Sequence, residues 1–228
     1  MTYGLIVKSD VGLDQITTDF PQMYVWAEGG VTVGAVASFD PATWTQVTFP
    51  AIPVAHSQGA MLFVRNANAS CFAMTRRFID DQFRISVRNA TGGALSRYVE
   101  WKVYARASAF FGTPLPAYGM VTYNPSGLIM SRSDMAAWQH LAPVNFTKAE
   151  ILGASPVFKS FGVSGPFLNA GVTSMRLRQT SSGSTATHRH TGVQTSGSSG
   201  TVFAMSFSAQ KVFEDYDVPF TSVALVKA

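Results

Sequence analysis

Hydrophobic and polar positions alternate with a period of two over several short runs. Phe83, Ile85 and Val87 interleave with Gln82, Arg84, Ser86 and Arg88. Val99, Trp101 and Val103 interleave with Glu100, Lys102 and Tyr104, and Phe203, Met205 and Phe207 with Ala204, Ser206 and Ser208. Successive side chains of a strand point to opposite faces, so each run predicts a half-buried strand. The residue types agree, because Val, Ile, Phe, Tyr, Trp and Thr suit a pleated surface. Met61-Leu62-Phe63-Val64 is apolar throughout and predicts a central strand. Asn89-Ala90-Thr91-Gly92-Gly93 and Asn124-Pro125-Ser126-Gly127 supply turn residues between runs. Helical signals are confined to Ser133–Trp138, where Ser133 can cap a short turn. Short strands separated by turn signals predict an all-β fold of the sandwich or barrel kind.

One phrase occurs twice. Tyr3-Gly4-Leu5-Ile6-Val7 is followed by Gly12-Leu13, and Tyr118-Gly119-Met120-Val121 is followed at the same spacing by Gly127-Leu128. Asp19 and Asp134 also fall in register. Each copy reads as an apolar strand, a polar turn and a second strand, and such self-similarity implies related modules in tandem. Phe111-Gly112-Thr113-Pro114-Leu115-Pro116-Ala117 reads as a stiff connector just before the second copy. The expected organisation is therefore two tandem β-sandwich-like domains with little helix, 1–110 and 115–228. Within the second, residues 181–201 are rich in Ser, Gly and Thr and lie between the strand-like segments Val172–Arg178 and Thr201–Ala209. They read as a loop or the tip of a long hairpin, of a length that usually serves a function or flexes.

Composition narrows the classes. Of 228 residues, 46% are hydrophobic and 13% charged, where a soluble domain carries about 25% charged residues. A surface so poor in charge is easiest to explain if neighbouring subunits cover part of it. The net charge is +4, with Arg76, Arg77, Arg84, Arg88 and Arg97 spread through one region. They read as strand-surface arginines. A nucleic-acid groove needs a denser basic stripe with aromatics, and no helix-turn-helix, zinc-finger or RNA-binding signature accompanies them. Cys71 is the single cysteine, so disulfide scaffolds and multi-cysteine metal sites are excluded. Its apolar neighbours Phe72 and Ala73 predict a small buried thiol. The start of the chain has no basic region before an apolar run, and no stretch of 18 apolar residues occurs. Neither a signal peptide nor a membrane span is expected.

Candidate chemistry is sparse. His188 and His190 stand two apart, so on a strand they share a face and can reach one metal ion. Two ligands are too few, but three copies about a threefold axis supply six imidazole nitrogens, enough for an octahedral transition ion. The alternative is a pair of solvent-facing histidines. His56-Ser57-Gln58-Gly59 and His140 offer pieces of a hydrolase triad without the Gly-x-Ser-x-Gly elbow that would place a serine. Asp80-Asp81 and Glu214, Asp215 and Asp217 are the acidic clusters; adjacent aspartates on a strand face opposite ways, and both clusters read as polar turns. Trp26, Trp44, Trp101 and Trp138, with Tyr24, Tyr98 and Tyr104, can form a sugar-stacking platform or serve the core and subunit contacts. No catalytic residue and no bound cofactor is expected.

The Tyr-Gly-apolar-apolar opening, the short turn and the following Gly-Leu resemble a family of small tail-associated proteins of tailed bacteriophages. Tyr118 to Gly127 matches the phrase of that family closely, and Val99-Glu100-Trp101-Lys102-Val103-Tyr104 is similar to the aromatic strand that often precedes it. The first copy departs from the pattern, with Lys8-Ser9 in place of Tyr-Asn. The likeness covers about a quarter of the chain. It implies a non-enzymatic virion component of the tail tip, baseplate or fibre attachment, made in the host cytoplasm. The implied partners are other tail proteins and further copies of the chain in threefold or sixfold array. A receptor- or glycan-binding module of the tail is the alternative. His188-Arg189-His190 is similar to the His-x-His pairs that bind iron in trimeric phage spikes and fibre tips. The resemblance carries over no catalytic residue.

Overall fold

The computed structural model describes residues 7–8, 14–16, 21–66, 68, 71–77, 80–89, 91–115, 117–135, 137, 140–147, 149–150, 157–160, 163–169, 176–180, 186–196, 199–209 and 220–226. Side chains are described for 21–135, 137, 144–169 and 194 within those ranges. The strands in chain order are β1 (Val7–Lys8), β2 (Asp14–Ile16), β3 (Met23–Val33), β4 (Thr45–Val47), β5 (Met61–Arg65), β6 (Cys71–Arg77), β7 (Phe83–Asn89), β8 (Arg97–Arg106), β9 (Val121–Tyr123), β10 (Ile129–Arg132), β11 (His140–Thr147), β12 (Phe158–Ser160), β13 (Phe167–Leu168), β14 (Arg176–Thr180), β15 (Ala186–Ser196), β16 (Ser199–Ala209) and β17 (Phe220–Val226). The pairings of β11 with β17, β15 with β16 and β6 with β7 are antiparallel, and the longest helical pieces among the described residues are single 3-10 turns at Pro41–Thr43, Val54–His56 and Ala107–Phe110. The fold is all-β, as the alternation predicts. No helix among the described residues is long and apolar enough to cross a membrane.

Two compact units are present. Unit 1 gathers Met1–Ala27, Pro50–Met61 and Val103–Trp138; unit 2 gathers Glu28–Phe49, Leu62–Lys102 and Gln139–Ala228. Contiguous modules would pair strands within each half of the sequence. Instead β5 pairs β13 through Val64 and Leu168, and β6 pairs β15 through Ala73 and Val193, so strands from both sides of the 111–117 connector share sheets of unit 2. A strand with two apolar faces gains most from an interior place in a sheet, and sequence proximity does not dictate which neighbour supplies it.

Unit 2 is built on two large sheets. One runs β11-β17-β13-β5-β8-β3, the other β12-β16-β15-β6-β7-β4 with β14 also paired to β15. Met61-Leu62-Phe63-Val64 is the interior strand the sequence predicts: Leu62, Phe63 and Val64 on β5 are buried. The alternation on β7 and β8 holds on its apolar side, with Phe83, Ile85, Val87, Val99 and Trp101 all buried. The Phe49 ring lies 5.9 Å from Phe83 on one sheet and 6.5 Å from Trp101 on the other. Cys71 is buried and free, with Asn66 Nδ2 donating to its sulfur at 3.1 Å.

Arg88 departs from the surface reading. It is 1% exposed, its guanidinium lies 4.4 Å from the centre of the Phe39 ring, and it donates to Ser86 Oγ and to the Ala37 and Ser38 carbonyls. The 37–38 segment has carbonyls that no strand partner claims, and the guanidinium fork satisfies them, which is why a polar register position turns inward here. Burial lowers the Arg88 pKa from its ordinary value.

Of the two readings of the Ser/Gly/Thr tract, a loop or the tip of a long hairpin, the described strands match the hairpin; 181–185 and 197–198 lie outside the described residues. Residues 186–196 and 199–201 are strand, and β15 pairs β16 along its whole length from Ala186↔Ala209 to Ser196↔Ser199. Serine, threonine and glycine lack the bulk to fill a core, yet they leave the backbone free to form a ladder, and that ladder fixes the hairpin. Ser133 caps no helix: its backbone N–H donates to the Met120 carbonyl, and its hydroxyl accepts from the Met120 N–H.

Unit 1 holds the described strands of both copies of the repeated phrase, and in each copy these strands pair antiparallel. In the first, Val7 pairs Ile16 and Lys8 pairs Asp14. In the second, the equivalent positions pair identically: Thr122 with Ser131 and Tyr123 with Ile129. The register shifts at the same place in each, one residue skipped on the second strand. The turn of the second copy is set by Asn124, whose Oδ1 accepts from the backbone N–H groups of Ser126 and Leu128, and by Gly127 at φ +78°. A side-chain oxygen two residues behind its donor and a glycine in the left-handed region are the means by which short polar turns close.

Candidate functional site

On unit 2, Tyr98, Glu100 and Lys102 fall at alternate positions of β8 and so share one face of the six-stranded sheet. Arg65 on the neighbouring β5 and Phe167 on β13 continue that face on one side, and Glu28 and Gly30 on the edge strand β3 continue it on the other. Together they line an open groove of about 480 Å³. The groove is cross-braced: Arg65 Nε donates to Glu100 Oε2 at 2.6 Å, and Lys102 Nζ lies 3.5 Å from Glu28 Oε2. The Arg65 guanidinium and the Lys102 ammonium sit over the Phe167 ring at 4.6 and 4.8 Å from its centre. That stacking holds both cations along the sheet, and Arg65 also donates to the Gly165 carbonyl at 3.2 Å. The hydrogen bond from Arg65, with the charges of Arg65 and Lys102, holds the Glu100 carboxyl below the usual range.

The edge of the groove depends on Gly29 and Gly30. A Cβ on Gly29 would stand 2.9 Å from Trp101 Cζ2, and one on Gly30 would fall inside the Tyr98 phenol. The two rings lie against bare backbone, Trp101 on the buried side and Tyr98 on the solvent side. Tyr98 nevertheless stays 63% exposed. Two glycines in a strand interior weaken it, and they persist where another group must approach the backbone closely.

On unit 1, charge is drawn inward. Arg132 on β10 is 5% exposed, and its Nε and Nη2 donate to the two oxygens of Asp134 at 3.0 and 2.7 Å. The same guanidinium donates to Thr113 Oγ1 and, at 2.6 Å, to the Pro114 carbonyl, so it fastens the 111–115 connector. Tyr24, 1% exposed, donates to the Arg132 carbonyl at 2.8 Å and accepts from the Arg132 N–H at 2.6 Å. Burial raises the Tyr24 pKa, and the Arg132 hydrogen bond holds Asp134 below its ordinary value. Trp26 and Tyr24 close on Phe110 at 5.0 and 6.1 Å between ring centres. Outward, the same stretch presents Phe111, Leu115, Tyr118, Met120, Tyr123 and Leu128, exposed by 42% to 93%. From Ala107 to Ser131 the chain has no Asp, Glu, Lys, Arg or His.

The residues singled out by sequence fall as follows. His188 and His190 lie on β15, between β14 and β16; His188 is opposite Arg178 and Phe207, and His190 is opposite Arg176 and Met205. Their side chains lie outside the described residues. The register places Arg178 across from His188 and Arg176 across from His190 on the neighbouring strand. Among the described residues no group of three His, Cys, Asp or Glu gathers to hold a metal ion. Asp81 turns the chain before β7 at φ 61° and pairs with Arg77, as a polar turn should. His56 ends a 3-10 turn and lies 5.7 Å from the Phe111 ring. Trp138, Glu214, Asp215 and Asp217 lie outside the described residues. Among the described residues of the named group, Trp44 packs with Phe72 and Met74, Tyr24, Trp101 and Tyr104 are buried, and Tyr98 is the one that is mostly exposed. The charge-free run and the Gly29-Gly30 pair were visible signals in the sequence, and they mark the two surfaces.

No protein-family model, no curated protein and no solved structure gives a significant match to this chain.

Proposed function

We propose that the chain is a non-enzymatic structural subunit of a tailed-phage virion, at the tail tip, the baseplate or a fibre attachment. The observation that carries this reading is the exposed, charge-free surface of unit 1 around the second hairpin. Interface centres are depleted in charge and enriched in aromatic residues and Met, and Phe111, Tyr118, Met120 and Tyr123 give that composition on one stretch of chain. A free monomer rarely leaves so many large apolar side chains uncovered in sequence. Other tail proteins and further copies of the chain in a threefold or sixfold ring are the partners of this reading, and the virion is its location. Labelling the protein in purified particles and locating it by electron microscopy tests it. Density at the distal tail is the expected result, and absence of the protein from purified particles overturns it.

A receptor- or glycan-binding role in the tail is the second reading. The groove of unit 2, with an exposed tyrosine and a rim of mixed charge, favours it.

A further inference from the structure

We infer that the groove bounded by Tyr98, Gly30, Glu28, Glu100, Arg65 and Lys102 binds a neutral saccharide, an inference that rests on the second reading above. Three features select that ligand class. The hydroxyl end of Tyr98 is held against the bare backbone of Gly30 while 63% of the residue remains exposed, so the phenol is anchored at its tip and much of the ring is open to solvent. An open aromatic face of this kind suits the apolar face of a pyranose ring. The rim carries two carboxylates and two cations paired as Arg65–Glu100 and Lys102–Glu28, so it is neutral as a whole. An anionic ligand meets the carboxylates and a cationic one meets the guanidinium and ammonium. A neutral polyol meets neither penalty, because each hydroxyl can donate to a carboxylate oxygen and accept from the neighbouring cation.

The third feature is preorganisation. Arg65 and Lys102 are already stacked on Phe167, which is 4% exposed. Their rotamers are therefore set before a ligand arrives, which lowers the ordering cost of binding. The groove volume of about 480 Å³ is within the range typical of small-molecule sites.

The test applies the full chain to a microarray of neutral and acidic oligosaccharides, followed by calorimetric titration of the strongest neutral hit. Wild type is compared with Tyr98→Ala, Tyr98→Phe, Glu100→Gln and, as a control for unspecific adhesion by an exposed aromatic of the same unit, Phe158→Ser. The expected result is binding to neutral glycans that weakens about tenfold or more in Tyr98→Ala, the loss of one stacked ring. Tyr98→Phe and Phe158→Ser should stay within about threefold of wild type, and Glu100→Gln should fall between. If Tyr98→Ala does not fold, Glu100→Gln decides the outcome. Binding that is unchanged in Tyr98→Ala or Glu100→Gln overturns the groove as the site and leaves the receptor reading standing. A preference for acidic glycans overturns the ligand class. If no array glycan binds, the saccharide inference falls, and adsorption of the labelled wild-type chain to whole bacterial cells then decides the receptor reading separately.

Discussion

Unit 1 puts a guanidinium inside and large apolar side chains outside, whereas the groove side of unit 2 puts apolar side chains inside and charges outside. In unit 1, Arg132 is nearly buried and Tyr118 is 93% exposed. In unit 2, Val64 and Val99 are buried, and Arg65, Glu28, Glu100 and Lys102 line the outer face of the same sheet. The second arrangement is what the hydrophobic effect produces in a surface that meets water. The first costs free energy in an isolated molecule, since exposed apolar area forfeits about 25 cal/mol per Å² that burial would recover. The two surfaces therefore suit different neighbours: one suits another protein, the other suits water or a hydrated ligand. Arg88 of unit 2 shows that burial of a guanidinium alone is not the distinction, because there the Ala37 and Ser38 carbonyls accept its hydrogen bonds.

The contrast can be broken most strongly in the apolar interior of unit 2. Phe63→Ala on β5 should cost about 3–5 kcal/mol of stability, read as a lowered urea midpoint; a loss under about 1 kcal/mol would mean that β5 is not a core strand. Next is the polar interior of unit 1. Tyr24→Phe leaves the Arg132 N–H and carbonyl without their hydroxyl partner and should cost about 1–3 kcal/mol. The same substitution at the mostly exposed Tyr98 should move the midpoint far less, and equal losses would erase the distinction between the two tyrosines.

The rim of the groove should contribute little. Solvent-accessible ion pairs are worth about 0.2–1 kcal/mol, and Glu100→Gln is expected at that level in low salt and below it in high salt. Arg65 depresses the Glu100 pKa, so the pair contributes above the ordinary carboxylate range and is lost as pH falls through the depressed value. Titrating Glu100 by NMR should show a midpoint below that of an unpaired glutamate, and Arg65→Gln should move it up.

The smallest effect on stability, and the largest on assembly, belongs to the outer face of unit 1. Tyr118→Ser should change the unfolding midpoint by less than about 0.5 kcal/mol. It should shift native mass spectra of concentrated protein toward lower oligomers, and reduce incorporation into particles. A spectrum unchanged by both Tyr118→Ser and Leu115→Ser would remove this face from the assembly reading.

Much of the fold was legible in short-range pattern. The period of two on β7 and β8, the apolar run of β5, the Asx turn at Asn124 and the duplicated hairpin all follow from residue types within a few positions of one another. Less of the site could be read. The aromatics were countable, but whether Trp44 or Tyr98 faces outward depends on which strand lies next to it. The His188/His190 pair is suggestive in sequence, and only the strand register reveals Arg178 and Arg176 opposite.

Local pattern was enough to set the all-β class, the turn at Asn124 and the repeat of the phrase, because alternation and turn chemistry act over a few residues. Tertiary structure alone decided that β5 joins β13 and β6 joins β15 across the connector, that Arg88 turns inward, and that Tyr98 rests on Gly30. These outcomes depend on which backbones come to lie side by side, and strand pairing between distant segments is fixed by the burial of whole faces, not by any one residue's preference.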